Sequence, residues 1–141
     1  MGTISKNFSY SEFERSETAE KKGIVNVIAT ARVRDSIQAL VLNVLQPLRT
    51  ALGVEMPVNS GYRCPELNEA VGGVPNSQHL KGEAADIATP MPLRMARKAV
   101  EMGLPFDQIG IYPTFVHFSH RLGGPQRGHI FYSNNYKGER L

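Results

Sequence analysis

Ser77-Gln78-His79-Leu80-Lys81-Gly82-Glu83-Ala84-Ala85-Asp86 sets an imidazole at the end of a loop and a carboxylate inside the short apolar run that follows. Gly82 is suited to reverse the chain between them, and the small Ala84 and Ala85 let neighbouring backbones approach closely. Ala84 to Ala88 is short and apolar enough to be a buried strand. If the chain turns at Gly82, the lone pairs of His79 and Asp86 can converge as a metal site requires. A third ligand has to come from another strand. His117 in Phe115-Val116-His117-Phe118-Ser119 is the best placed, because alternation puts His117 and Ser119 on one face and Val116 and Phe118 on the other. Two His and one carboxylate are a ligand set of catalytic zinc, with a fourth position left for water. By residue type alone an isolated His is more often a surface or core hydrogen-bonding group than a ligand, and a strand Asp more often a turn or salt-bridge residue, so spacing and context carry the reading.

Outward from this segment the chain reads as helices first and strands later. Upstream, Ile37, Leu40, Val41, Val44, Leu45, Leu48 and Leu52 recur at three- and four-residue steps, which predicts a helix over Asp35 to Leu52. Asp35 or Ser36 serves its first turn, Gly53 ends it, and Pro47 removes an internal hydrogen bond and should bend it. Asn7 to Phe13 reads as a helix start at Ser11 with Phe8 and Phe13 as apolar anchors. Met56 to Ser60 is a strand leading into the turn Gly61 to Pro65, and Pro65 to Val71 a short helix with Pro at its first position. Gly72 to Ser77 is the loop that delivers His79. Downstream, Pro92 to Met102 is a helix ended by Gly103, and Gln108 to Tyr112, Thr114 to Ser119 and His129 to Ser133 are strands. This order predicts an α+β fold, a single domain over residues 1–141, with helices packed on a small antiparallel sheet that carries the site.

Composition narrows the function. Of the 141 residues, 41% are apolar and 21% charged, a balance that supports a core and excludes a disordered chain. The net charge of +3 suits an acidic surface such as a cell wall, but Arg94, Arg97 and Lys98 read as a solvated helix face, and no nucleic-acid partner is expected. The lone Cys64 excludes an internal disulfide and a multi-Cys zinc knuckle, and without a Cys-His signature it reads as a packing or turn residue. No apolar run reaches the roughly 18 to 20 residues of a bilayer span. Met1 to Phe8 lacks the order of a signal peptide. The expectation is a soluble monomer, cytoplasmic when made.

Ser77, His79, Gly82, Ala84 and Asp86 match the Ser-x-His-x-x-Gly-x-Ala-x-Asp motif, so the chain resembles the zinc D-alanyl-D-alanine peptidases, a family that includes phage endolysin peptidases and shares its fold with the Hedgehog signalling domain. Ser60-Gly61-Tyr62-Arg63, Leu67-Asn68, Gly73 and Phe115-Val116-His117 extend the resemblance, as do Phe8 to Phe13 and Leu45 to Arg49. The resemblance implies Zn²⁺ bound by His79, Asp86 and His117. It implies Arg63 on the substrate and on the developing oxyanion, for which a planar guanidinium is suited, with Ser77 beside it as a substrate or loop-bracing residue. It further implies a metallopeptidase of carboxypeptidase or endopeptidase type that hydrolyses an amide bond in peptidoglycan peptide.

One position departs from the family pattern. The residue three before the late zinc His is commonly an acid or His that serves as general base, and here it is Thr114, which accepts no proton at neutral pH. His120 is the nearest titratable group and the nominated catalytic base, although strict alternation turns it to the opposite face. Glu83 and Asp107 are the carboxylate alternatives. A catalytically weak zinc-containing module that binds wall peptide or a protein partner is the competing reading.

Overall fold

The long apolar stripe forms the central helix of the computed structural model, which describes residues 2–141. The helix begins earlier than its apolar periodicity, because Thr30 accepts a hydrogen bond from the Val33 N–H and caps α3 (Ala31–Leu40). Widening into a π turn at Val41–Leu45, it continues as α4 (Gln46–Leu52) and stops at Gly53 in the left-handed conformation. The π turn lies just ahead of Pro47, which has no N–H for the carbonyl one turn back, and the Gln46 N–H bonds instead to the carbonyl of Val41. Ile37, Leu40, Val41, Val44, Leu45 and Leu48 are fully buried along one side of this composite helix. Ahead of it, β1 (Thr3–Ser5) and β2 (Phe8–Ser9) form a two-stranded ribbon that leads into α1 (Tyr10–Glu14) and α2 (Glu17–Lys22). Helix α1 starts one residue before the expected Ser11, with the Ser9 N–H held by the Glu12 carboxylate at 2.7 Å.

The helical stripe covers one face of a five-stranded sheet. Its strands are β3 (Val58–Ser60), β4 (Ala84–Ala88), β5 (Gln108–Ile111), β6 (Phe115–Ser119) and β7 (His129–Tyr132), arranged β3-β4-β6-β5-β7. The helix α5 (Pro65–Ala70) follows β3, and α6 (Pro92–Glu101) joins β4 to β5. Ala85, Ile87, Val116, Phe118, Ile109 and Ile111 point into the same core as the stripe and as Met95, Ala96 and Ala99 of α6. Alternation then fixes the opposite face.

The expected antiparallel sheet requires a correction, since β5 and β7 pair in parallel and the sheet is mixed. β6 returns antiparallel to β5 and ends beside the start of β5, with Gln108 opposite Ser119. The loop 120–128 then passes that same end of β5 and delivers His129 opposite Gln108, so β7 runs alongside β5 in the same direction. Strand composition carries no information about this direction, which the path of the loop decides.

The register lays one row of residues across the whole sheet on the face turned away from the helical stripe. Ser60 pairs with Asp86, Asp86 with His117, His117 with Gly110, and Gly110 with Phe131. Every strand contributes one residue to this row, and two of the three expected metal ligands are direct cross-strand partners.

Candidate metal centre

His79 reaches this row from outside the sheet. A 3-10 turn, Gln78–Lys81, holds it, with Ser77 as cap accepting from the His79 N–H at 3.2 Å. Gly82 reverses the chain as its position suggests: its φ is +75°, and an added Cβ would meet the Val33 carbonyl oxygen at 2.7 Å. The chain enters β4 directly afterwards, which brings Asp86 back beneath His79.

The His79 ring is fixed at its other nitrogen. Nδ1 lies 2.7 Å from the carbonyl oxygen of Gly61, which can only accept, so Nδ1 carries the proton and Nε2 presents a lone pair. The backbone carbonyl of His79 in turn accepts from the Arg63 N–H at 3.1 Å, so the turn Gly61 to Arg63 grips His79 at ring and backbone together. Nε2 faces Asp86 Oδ1 at 3.4 Å, and His117 Nδ1 lies 2.9 Å from the same oxygen. One ligand atom from each of His79, Asp86 and His117 falls within 4.8 Å of the others. His79 is buried while Asp86 and His117 are half-buried, so the group is rooted in protein and open on one side.

Two acceptors face one another at the centre of this group, the Nε2 lone pair of His79 and the Asp86 carboxylate. A cation between them converts that repulsion into attraction, and the mixed imidazole–carboxylate donor set suits zinc better than the all-oxygen sets of Mg²⁺ or Ca²⁺. The residues therefore fit the ion. Burial works to raise the Asp86 carboxyl, but the hydrogen bond from His117 outweighs it and holds the group below the ordinary carboxylate range.

Arg63 closes one side of the group. Its Nε donates to Ser60 Oγ at 3.1 Å and one terminal nitrogen to Asn68 Oδ1 at 3.2 Å, while the other terminal nitrogen stands 3.7 Å from Asp86 Oδ2. Asn68 is itself buried and anchored on the Val74 carbonyl. The guanidinium is therefore braced at two points with its third edge turned to the centre. Its bracing residue Asn68 was present in the Leu67-Asn68 match, but no spacing rule joins a helix Asn to an Arg in the preceding turn.

His120 is not brought to this group. Its N–H continues the β4/β6 ladder to the Glu83 carbonyl, and its Nδ1 lies 2.6 Å from the carbonyl oxygen of Pro105. Both carboxylate alternatives are also engaged elsewhere. Glu83 accepts from the Leu122 N–H at 3.1 Å. Asp107, fully buried, accepts from Arg127 at 2.6 Å and from Gln78 at 3.1 Å. Burial acts to raise the Asp107 carboxyl, yet the Arg127 and Gln78 hydrogen bonds pull it down to about 2. Together these two acids tie the loop 120–128 to the turn that carries His79. Thr114 sits exposed at the opposite end of β6, where its carbonyl accepts from the Thr89 N–H.

Two imidazoles and a carboxylate convergent on one point, with a braced guanidinium alongside, are the make-up of a mononuclear metal-dependent hydrolase centre. Residues 6–119, which include the whole group, match the Peptidase M15 family, and the chain belongs to that family. It is also 41% identical over 82 residues to the zinc D-Ala-D-Ala carboxypeptidase of Streptomyces albus G, a match that takes in 57% of this chain. The aligned region covers 31% of that relative's own length.

Proposed function

We propose that the protein is a zinc-dependent peptidase that hydrolyses an amide bond in bacterial cell-wall peptide, with His79, Asp86 and His117 as the zinc ligands. The observation that carries this reading is the tautomer lock on His79: the Gly61 carbonyl fixes the proton on Nδ1 and leaves Nε2 aimed at Asp86. Membership of a peptidase family and the D-Ala-D-Ala carboxypeptidase relative support the reaction and the wall-peptide substrate.

Bound zinc supplies an acidified water and a Lewis acid for the scissile carbonyl. The protein's own contribution is positional. Gly61 and Arg63 hold the His79 ring and backbone, the β4/β6 ladder sets Asp86 against His117, and Ser60 and Asn68 aim Arg63 at the substrate carboxylate or the carbonyl oxygen that gains charge. Ser77 serves the substrate indirectly, through the turn that it caps. Among the described residues no helix is long and apolar enough to cross a membrane.

The test is incubation of the zinc-loaded protein with purified peptidoglycan, followed by mass analysis. Release of free D-alanine marks a carboxypeptidase, and newly separated stem peptides mark an endopeptidase. The second reading, a zinc-containing module that binds without cutting, is favoured by one observation: His120, Glu83 and Asp107 are all committed to hydrogen bonds away from the metal group. Binding to the wall with no change in its mass spectrum would decide for that module.

A further inference from the structure

The row across the sheet has an aromatic half. Beyond His117 it passes through Gly110 to Phe131, and the Phe131 ring lies directly over Gly110, where an added Cβ would collide with the ring tip. With that strand bared, the ring reaches to within 6.1 Å of the His117 ring, centroid to centroid. Two positions after Gly110, and therefore on the same face, stands Tyr112. Its ring stacks on Phe115 at 4.2 Å and 13°, and meets Phe131 edge-on at 6.2 Å. Tyr112 and His117 thus flank the same phenyl ring on the open face of the sheet. The Tyr112 ring is clamped from two directions, while among the described residues its hydroxyl has no hydrogen-bond partner, in contrast to Tyr132 and Tyr136, whose hydroxyls are bonded to backbone.

We infer that the Tyr112 hydroxyl is a catalytic hydrogen-bond donor to the carbonyl oxygen of the scissile amide, acting from the aromatic side of the centre opposite Arg63. This rests on the peptidase reading above and supplies a donor to a site whose usual acid/base position is Thr114. As water adds to the amide carbon, the C=O π electrons move onto oxygen, and the phenol O–H strengthens its hydrogen bond to that oxygen. The phenol keeps its proton throughout; the proton that the attacking water loses passes through solvent to the amide nitrogen, and the oxygen returns to a carbonyl as the C–N bond breaks and the amine leaves. A pre-aimed neutral donor is effective here because it requires no reorganisation as charge develops. Burial and the nearby Asp86 charge both favour the protonated phenol, with Arg63 opposing, so the group is available as a donor at neutral pH rather than as a base.

Tyr112→Phe isolates the hydroxyl, since the stack on Phe115 and the contact with Phe131 are made by the ring alone. With zinc content and melting temperature equal to those of the wild type, the variant should lose about 10²-fold in kcat with KM little changed. Affinity for a phosphinate pseudopeptide, whose tetrahedral oxygens mimic the adduct, should fall by a similar factor, while affinity for the product carboxylate should hold. Unchanged kcat, or unchanged phosphinate affinity, in Tyr112→Phe overturns the inference while leaving the peptidase reading standing. If the wild type neither turns over peptidoglycan nor binds the phosphinate, the peptidase reading falls and takes the inference with it.

Discussion

Asp86 is the residue on which the centre converges, with His79, His117 and Arg63 all within 3.7 Å of its two oxygens. Removing either imidazole should take one donor from the proposed zinc site, and removing His117 also takes from the half-buried carboxylate its hydrogen-bond partner at 2.9 Å. His79→Ala and His117→Ala are each expected to purify with zinc content well below one ion per chain, and elemental analysis after dialysis against a weak chelator measures it. Full occupancy in either variant would remove that residue from the ligand set. At this scale the sequence was unusually readable, for a physical reason. His79, Gly82, Asp86 and His117 act through local geometry, a reversal and a strand alternation, and such rules operate over a few residues. His120 shows the same rule from the other side: alternation turned it away from His117, and it lies against the Pro105 carbonyl. The partners that depend on tertiary approach, the Gly61 carbonyl for His79 and Asn68 for Arg63, had no local signature.

At the scale of elements, the apolar stripe announced the central helix but neither its start at Ala31 nor the π turn at Val41–Leu45. Polar residues lead the helix in, so periodicity begins only after the cap has done its work, and the π turn answers a missing N–H rather than any pattern of hydrophobicity. The sheet strands were located to within a residue or two, whereas the parallel entry of β7 was not, because direction belongs to the loop. The helix should tolerate little loss of volume. Leu45 is fully buried in the π turn itself. Leu45→Ala should therefore cost about 2 to 5 kcal/mol, measured as a lower urea midpoint at an unchanged slope. A cost near zero would mean that the π turn relaxes into the cavity and carries little of the core's packing.

For the molecule as a whole, the ion pair of Asp107 with Arg127 joins the loop 120–128 to the body of the sheet and makes stability depend on acid. The folded carboxyl titrates at about 2, below its ordinary value of 3.8, so its contribution is complete above about pH 4 and is lost as pH falls toward 2. Arg127→Ala should lower stability by about 1 to 2 kcal/mol at pH 6, a figure kept small because the arginine is partly exposed. The gap from the wild type should close as pH approaches 2. Thermal melts of both proteins from pH 2 to pH 6 measure it, and a gap that does not change with pH would assign the loss to packing of the loop.

The pairing of Asp86 with His117 across β4 and β6 also dictates when in the life of the chain the metal can be taken up. The two residues lie 31 apart in sequence, and His79 is oriented by a carbonyl 18 positions before it. Although His79 and Asp86 can meet through the local reversal at Gly82, His117 joins them only when the long-range ladder has closed, and closing such contacts is the slow part of forming a sheet. A partly synthesised chain that ends before β6 therefore has no competent centre to offer. With the proposed ligand set, zinc should enter a finished scaffold instead of organising an unfinished one, and when refolding is started with zinc already present, metal uptake should keep pace with assembly of the sheet and not run ahead of it.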